Sequence, residues 1–458
     1  LHGEGYRGHI FWDEMYVLPF YNLHFPEISK SDLMYRYRRL KAAKEDAREH
    51  GYKGAMFPWQ SADDGHEETQ MIHYNPVSGK WDPDLSHLQR HVSLAIAVNI
   101  LDYCRSTHDR KFMYDYGIEM LIEIARFWTS ISEKGDDERY HIKNVMGPDE
   151  FQEKYPDAEE GGIHDNAYTN IMVSWLLNKV IHFYMNFDKK ELENIKKKTG
   201  LNEQEVEQWK DIRNNLYLEI NDQGIIAQFS GYFDLQELDW KRYKDKYKDI
   251  RRMDRILKAE NDSPDNYKVA KQADTLMLFY TLSPKQVKKI VEQMGYSVGD
   301  PVKFLRKNFD YYIKRTSHGS TLSYVVHAAI LKYVRDGEPD RSRWFEEALK
   351  SDISDTQGGT TKEGIHTGVM AGTIDIIIES FAGLELFDNY FEINPTFPKH
   401  WREVRFKIHH ITRTFEFVFT HEQVKITSLN EFDGSFFINY NNKQKEIKPL
   451  ESITIDLE

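Results

Sequence analysis

The sequence is poor in cysteine and contains no long apolar run. Cys104 is the single cysteine among 458 residues, so the chain cannot form an intrachain disulfide, which fits a reducing compartment. Because Cys104 falls on an apolar helical stripe, we expect an inert core thiol. No stretch approaches the ~18 apolar residues of a membrane span, and no basic-then-apolar signal pattern opens the chain. We therefore expect a cytoplasmic protein that does not cross a membrane.

Acidic side chains outnumber basic ones, and the sequence has no paired metal-ligand spacing. With 61 Lys and Arg against 74 Asp and Glu, the net charge is −13, which argues against a general binder of nucleic acid or anionic membranes. No paired spacing such as H-E-x-x-H occurs, and His409-His410 lie in a predicted β segment, so no metal is expected. An anionic substrate would have to be bound by positive groups placed locally.

Most of the chain shows helical periodicity instead. Nearly all-apolar helices alternate with amphipathic ones, and long loops alternate with short ones, which predicts a two-layered α/α barrel with functional loops at one end. The predicted helices are Phe11–Phe20, Leu33–Ala47, Leu88–Cys104, Phe112–Ile131, Ala167–Tyr184, Val206–Ile220, Tyr267–Tyr280, Val287–Met294, Val302–Ile313, Leu322–Val334, Trp344–Leu349 and Ile365–Phe381.

Beyond Asp388 the apolar period changes from three-and-four to two. Segments such as Thr414–Phe419 alternate apolar and polar residues, as strands with one buried face do. We therefore predict a helical domain over residues 1–388 and a small antiparallel β domain over residues 389–458.

The segment Gly147-Pro148-Asp149-Glu150 is the main catalytic candidate. A Gly-Pro pair breaks regular structure, so the two carboxylates that follow lie on a loop. Order resumes at His164–Asn170, where polar residues suit the N-cap of an apolar helix. A carboxylic acid held between a rigid turn and a helix start can act as a general acid. The alternative is a solvated acidic turn.

Two aromatic segments are typical of sugar binding. Trp12 beside Asp13 offers a ring face for apolar C–H groups and a carboxylate for hydroxyls, although packing plus a helix cap is the more common explanation of an isolated pair of this kind. Trp59 follows Pro58, which predicts a rigid aromatic wall. The glycines in residues 3–8 allow close backbone approach to a ligand, but no strand precedes them, so they indicate no nucleotide site.

Three further segments combine groups that bind an anion. Lys271-Gln272 begins a predicted apolar helix, where a cation and an amide can hold an anion or a polyol. The loop Thr316–Ser323 supplies a glycine, hydroxyls and a histidine ahead of another helix, and Gly358–His366 resembles it in composition. Ser320 alone could be a helix cap. A serine-protease arrangement is disfavoured because no strand-turn-helix elbow precedes this serine.

Taken together, these segments resemble glycoside hydrolase family 65, in the same order and over essentially the whole chain. The segments are 3–13, 57–62, 147–151, 165–170, 228–233, 271–274, 318–323 and 359–366. That family contains inverting disaccharide phosphorylases, such as those for maltose, trehalose and kojibiose, and a minority of hydrolases. The resemblance implies an (α/α)6 barrel followed by a small β domain, without the family's N-terminal β-sandwich. It leaves open whether this chain is active alone.

The resemblance also implies residue roles. Glu150 matches the general acid, and Asp149 is assigned to loop structure or to the acceptor side. The residues implied at the sugar are Trp12, Asp13, Trp59, Lys271, Gln272 and Glu363. The residues implied at phosphate are His318, Ser320, Thr321 and His366. His318 is expected to offer a ring that can become cationic.

The implied reaction is phosphorolysis of an α-linked glucoside to β-glucose 1-phosphate. The expected partners are a small carbohydrate and inorganic phosphate as co-substrate, with no cofactor, nucleic acid or membrane, and a homodimer is the expected assembly. The alternatives are a hydrolase, with Glu363 or another carboxylate as base, and a non-catalytic carbohydrate-binding fragment. A hydrolase needs that second carboxylate, and the loop Thr316–Ser323 contains none.

Overall fold

A computed structural model describes residues 8–334, 338–354 and 365–457. Helices occupy the chain as far as Phe381. In the described part these are α1 (Glu14–His24), α2 (Pro26–Arg38), α3 (Leu40–Glu49), α4 (Val92–Thr107), α5 (Arg110–Phe112), α6 (Ile118–Ile131), α7 (Ala167–Asn186), α8 (Lys189–Thr199), α9 (Glu203–Asn215), α10 (Trp240–Tyr247), α11 (Met253–Ala259), α12 (Met277–Thr281), α13 (Pro284–Gln293), α14 (Pro301–Tyr312), α15 (Leu322–Ile330), α16 (Glu338–Lys350) and α17 (Thr367–Asp375).

Within the described residues, six helices form a closed inner ring. Each packs on the next in the order α1, α4, α7, α12, α15 and α17, and α17 packs back on α1. The outer helices α2, α6, α9, α13 and α16 lie against this ring. Inner helices are buried on all sides, as α7 is from Ala167 to Leu177, whereas α13 buries little more than one face. The predicted (α/α)6 barrel is confirmed.

Several predicted helices have other ends in the structure, and two of them differ more deeply. The segment Leu33–Ala47 is divided between α2 and α3, because the backbone of Arg39 leaves the helical region. The segment Tyr267–Tyr280 is helical only from Met277, within α12. The backbone before Met277 forms hydrogen bonds with residues 315–319 instead of with its own next turn.

Two short hairpins lie between helices, and eight further strands follow the last helix of the described chain. The hairpins are β1 (Ile72–Asn75) with β2 (Lys80–Pro83) and β3 (Ser132–Lys134) with β4 (Tyr140–Ile142). The C-terminal strands are β5 (Glu385–Phe387), β6 (Tyr390–Glu392), β7 (Val404–His410), β8 (Arg413–Phe419), β9 (Gln423–Ser428), β10 (Phe436–Tyr440), β11 (Lys443–Ile447) and β12 (Ser452–Asp456).

The C-terminal strands form two four-stranded sheets with one shared core. Their orders are β11-β10-β6-β5 and β12-β9-β8-β7, and the β6–β10 pair is parallel whereas the others are antiparallel. Phe391 and Phe436 of one sheet meet Phe415 of the other, with Phe391 and Phe415 ring centroids 5.0 Å apart. Leu23, near the C-terminal end of α1, joins this core. The β unit therefore covers the end of the barrel where α1 finishes. The boundary at residue 388 stays a prediction.

The opposite end of the barrel gathers the starts of the inner helices. Asp13 precedes α1, Asn166 precedes α7, Thr321 precedes α15 and His366 precedes α17. The partial positive charge at helix N-termini favours anions near this mouth. Among the described residues no helix has the length and apolarity that crossing a bilayer requires.

Candidate active site

Glu150 lies at the barrel mouth with both carboxylate oxygens held. Lys271 Nζ donates to Oε2 at 3.0 Å, and Gln272 Nε2 donates to Oε1 at 2.8 Å. Its φ of 65° is uncommon for a residue with a side chain and indicates that the surroundings fix this backbone. The structure therefore brings together the candidate acid and two of the candidate sugar-binding side chains.

Lys271 reaches Glu150 because its segment pairs with the loop before α15. The amide of Ala270 donates to the Arg315 carbonyl at 2.9 Å, and the amide of Gly319 donates to the Lys271 carbonyl at 2.8 Å. A Cβ at Gly319 would stand 2.5 Å from the Arg251 carbonyl oxygen, so only glycine permits this approach. The candidate phosphate loop therefore lies directly beside Lys271.

Ser320 and Thr321 end that loop at the start of α15. Both are buried, with 7% and 3% of their surface exposed. The Thr321 hydroxyl has no hydrogen-bond partner among the described residues. Because buried hydroxyls are usually paired, this orphaned group suits a ligand that accepts or donates a hydrogen bond.

The ring of His318 packs among the aromatic rings of α15 and α16. The ring centroid lies 4.5 Å from that of Trp344, and Nδ1 is 2.8 Å from Ser323 Oγ. Burial, with the nearby His327 and Arg343, lowers the pKa of His318 well below its ordinary value. The ring is therefore neutral near pH 7, and the expected cationic character is absent in this arrangement. As a phosphate ligand His318 would contribute hydrogen bonding without charge.

His366, just before α17, lies near Asp13, just before α1. Its Nε2 lies 3.6 Å from Asp13 Oδ1, and its buried Nδ1 has no hydrogen-bond partner among the described residues. Burial, and secondarily the charge of Lys271, lower the pKa of His366 to about 4. The structure thus groups Asp13, His366 and Lys271, whose roles remain predictions.

Trp12 and Trp59 form an aromatic wall at the same mouth. Their ring centroids are 5.9 Å apart, and the Trp12 ring meets that of His91 at 4.9 Å. The two tryptophans are 2% and 5% exposed. Most of each ring is therefore packed, and little ring face is open for a sugar.

Sequence reasoning missed a buried carboxyl pair beside Glu150. Gln228 Nε2 donates to Asp149 Oδ2 at 2.8 Å, and Asn166 Nδ2 donates to Asp274 Oδ2 at 2.9 Å. Burial raises the pKa of Asp149 to about 7, and burial together with Asp149 raises that of Asp274 well above its ordinary value. A Cβ on Gly147 would overlap Asn166 and Asp274, which explains the glycine. The one sequence signal was that each aspartate lies inside a candidate segment, Asp149 in 147–151 and Asp274 in 271–274.

This pair predicts that the free energy of unfolding falls as pH rises through neutrality. The pKa of Asp149 is about 7 in the fold against an ordinary 3.8, so between these values the folded chain keeps a proton that the unfolded chain has released. The resulting stabilisation is complete below about pH 4 and is lost as pH rises through 7, at ~1.4 kcal/mol per pH unit for one proton. We expect Asp149→Asn to make the pH dependence of unfolding in urea shallower by ~1.4 kcal/mol per pH unit between pH 5 and 7, while Asp274 keeps its own contribution. Parallel stability curves for wild type and variant would contradict it.

The structure describes some, but not all, of the other segments named above. Glu363 and most of the segment Gly358–His366 lie outside the described residues. Among the residues that are described, no group of three His, Cys, Asp or Glu is arranged to hold a metal ion. Cys104 is partly buried, and burial raises its pKa to about 12, which fits an inert thiol.

Comparison with known families identifies both parts of the chain. A model described as the glycosyl hydrolase family 65 central catalytic domain matches residues 1–375. A second, described as the family 65 C-terminal domain, matches residues 384–445.

Similar proteins agree with these family models. A trehalose 6-phosphate phosphorylase of Lactococcus lactis is 48% identical over 89% of this chain and 51% of its own length. A kojibiose phosphorylase of Halothermothrix orenii is 34% identical over 94% of this chain and 53% of its own length. A solved human-microbiome structure, provisionally assigned as a kojibiose phosphorylase, superposes with a TM-score of 0.80 at 27% identity, over 100% of this chain and 61% of that one. The chain spans about half the length of these curated relatives.

Proposed function

Because this chain belongs to glycoside hydrolase family 65, we propose that it catalyses the inverting phosphorolysis of an α-linked glucose disaccharide or glucoside. The products are β-glucose 1-phosphate and a free acceptor. The observation that carries this proposal is the contact of Lys271 with both halves of the site. Its ammonium binds Glu150 at 3.0 Å, and its carbonyl accepts from Gly319 of the hydroxyl-rich loop at 2.8 Å.

Glu150 is the proposed proton donor to the glycosidic oxygen. General acid catalysis requires a carboxyl group at a fixed position within hydrogen-bond reach of the leaving oxygen. Lys271 and Gln272 supply that fixed position through one hydrogen bond to each carboxylate oxygen. The acceptor would then depart on the side of the barrel mouth that Glu150 occupies.

Phosphate is the proposed nucleophile, attacking C1 from the opposite face of the sugar. It would be bound by Lys271, by the hydroxyls of Ser320 and Thr321 and by His366, with His318 behind them. The starts of α15 and α17 add the partial positive charge of their N-termini. Phosphate is already anionic, so no base has to activate it. An inverting hydrolase instead needs a carboxylate base roughly 6.5–9.5 Å from the acid.

Asp13, held near His366, is the proposed glucose-binding group, and the packed rings of Trp12 and Trp59 support that side of the site. We place the acceptor between Glu150 and the loops 60–82 and 151–164. The relative at 48% identity is named for a phosphorylated disaccharide and others for unphosphorylated ones, so a hexose and a hexose phosphate are both candidate acceptors. The single cysteine fits the cytoplasm as the proposed location.

The test is incubation of α-linked glucose disaccharides, phosphorylated and unphosphorylated, with and without inorganic phosphate. We expect glucose 1-phosphate to form only when phosphate is present, in an amount equal to the acceptor released. Glucose release that does not depend on phosphate would identify a hydrolase. Sugar binding without any product would favour a non-catalytic fragment that needs a further part.

A further inference from the structure

The loop that carries Glu150 is held in place just before the acid residue. The amide of Met146 donates to the Leu88 carbonyl at 2.9 Å. Gln272 Nε2 donates to the Pro148 carbonyl at 2.8 Å. These contacts fix the chain as it approaches the acid, but they do not fix the backbone of the acid residue itself.

The Asp149 side chain spans the acid residue. Its Oδ1 accepts from the amide of Phe151 at 2.6 Å and from the amide of Gln152 at 3.3 Å. An aspartate that accepts from the amide two residues further on forms a tight turn through its own side chain. Glu150 is the central residue of this turn, so the hydrogen-bonded ring closes around its backbone.

The backbone of Glu150 needs such support. Its φ of 65° lies in the left-handed region, where a residue with a side chain stays only if its surroundings hold it there. The amide of Glu150 donates to the Gly147 carbonyl over 3.4 Å, which is long for a hydrogen bond. The shorter bond from Phe151 to Asp149 is therefore the stronger local restraint on the direction in which the acid side chain leaves the backbone.

A second loop holds the Asp149 side chain in turn. Gln228 Nε2 donates to Asp149 Oδ2 at 2.8 Å, and the two residues are only 1% and 2% exposed. The Gln228 carbonyl accepts from Asn166 Nδ2 at 3.1 Å, which ties this loop to the start of α7. Gln228 Oε1 is buried and has no hydrogen-bond partner among the described residues. Rotation of this amide by half a turn would present Oε1 to a protonated Asp149, so the contact suits either protonation state and leaves Oδ1 to accept from the backbone.

We propose that Asp149 is a positioning residue for the general acid: its carboxyl group holds the Glu150 backbone so that the acid side chain is directed at the leaving oxygen, and Gln228 holds that carboxyl group. This role rests on the phosphorolysis proposed above. In that reaction inorganic phosphate bonds to C1, the glycosidic bond breaks, and the proton of Glu150 goes to the leaving oxygen. Asp149 neither gives nor receives that proton.

Asp149→Ala removes the acceptor of the turn. Misplacing a catalytic group by about 1 Å can cost on the order of 10²-fold, so we expect kcat for disaccharide phosphorolysis to fall by about 10²-fold. The rate with α-glucosyl fluoride should stay within about threefold of wild type, because fluoride leaves without a proton. The KM for phosphate should stay within about twofold, since the lost interaction matters for proton transfer and not for binding the anion.

Further variants control for charge and for folding. Asp149→Asn keeps an oxygen for both backbone amides, and its amide group can donate to Gln228 Oε1, so its kcat should stay within about threefold of wild type. Asp300→Ala is the matched control, because it removes an aspartate-to-amide bond of 2.9 Å at the exposed start of α14 and should leave activity unchanged. If thermal unfolding shows that Asp149→Ala does not fold, Gln228→Met is the test, with a fall in disaccharide kcat of about tenfold and none with the fluoride.

Three results would overturn the proposal. The first is a wild-type kcat of Asp149→Ala for the disaccharide. The second is an equal loss of rate with disaccharide and α-glucosyl fluoride, which would assign Asp149 to the stability of the fold. The third is an Asp149→Asn enzyme as impaired as Asp149→Ala, which would show that accepting from the two amides is not what matters.

Hydrogen exchange separates this role from the proposed reaction. If wild type gives no product with any substrate, the phosphorolysis proposal fails, but deuterium uptake by the peptide that contains Phe151 and Gln152 still tests the turn. We expect uptake to be about tenfold faster in Asp149→Ala than in wild type or Asp149→Asn, because these amides lose their acceptor. Equal uptake in the three proteins would show that Asp149 does not hold the loop.

Discussion

Replacing Glu150 by glutamine is expected to lower kcat for disaccharide phosphorolysis by about 10³-fold, within the 10²- to 10⁴-fold range of general acid catalysis. Glutamine has the same shape, and its carbonyl oxygen can still accept a hydrogen bond from Lys271 or Gln272. It has no acidic proton to give to the leaving oxygen. Steady-state rates at saturating phosphate measure the effect, with Glu207→Gln on the exposed face of α9 as the control.

A substrate that needs no proton distinguishes acid catalysis from a positioning role. Fluoride leaves α-glucosyl fluoride without protonation, so the Glu150→Gln variant should convert that substrate to β-glucose 1-phosphate within about tenfold of the wild-type rate. If both substrates lose activity equally, Glu150 positions the sugar and does not donate the proton. If the disaccharide rate is unchanged, the acid is another residue.

Replacing Lys271 by methionine is expected to lower kcat/KM for phosphate by about 10²- to 10³-fold, as loss of one preorganised electrostatic group does. The ammonium is the partner of the Glu150 carboxylate at 3.0 Å, and its charge reaches the His366 ring and the Asp254 carboxylate. Removing it weakens the attraction for phosphate and frees the acid to change position. Phosphate saturation curves at fixed disaccharide give the measurement.

Two variants control this experiment. Lys271→Arg keeps the charge and should retain more activity than Lys271→Met. Lys268→Met lies three residues earlier, where the lysine is 3.8 Å from Glu237, and should leave the phosphate curve unchanged. A Lys271→Met enzyme with a wild-type KM for phosphate would show that the anion is bound elsewhere.

The sequence predicted the barrel because its inner and outer helices differ in apolar periodicity. It did not predict where the segment before Met277 leaves the helix, because hydrogen bonds to residues 315–319 override a local preference that reads as helical. That departure matters for the proposed site. The non-helical segment places Lys271 beside Glu150, and the predicted helix Tyr267–Tyr280 gave no reason to expect that contact.

The site was predictable only in part, through resemblance and not through spacing. Closure of the ring brings Asp13, just before α1, to His366, just before the last inner helix, and no local pattern contains that information. The Asp149–Asp274 pair was missed for the same reason. His318 was expected to become cationic, but the rings packed around it remove the water that a charged imidazole needs.

The anomeric form of the product tests the central claim most directly. Proton NMR of an early reaction mixture of the preferred α-linked substrate in phosphate buffer distinguishes the two glucose 1-phosphates and free glucose. Inverting phosphorolysis with Glu150 as acid predicts β-glucose 1-phosphate as the first product, in an amount equal to the acceptor. The α anomer, or glucose formed at the same rate without phosphate, would contradict it.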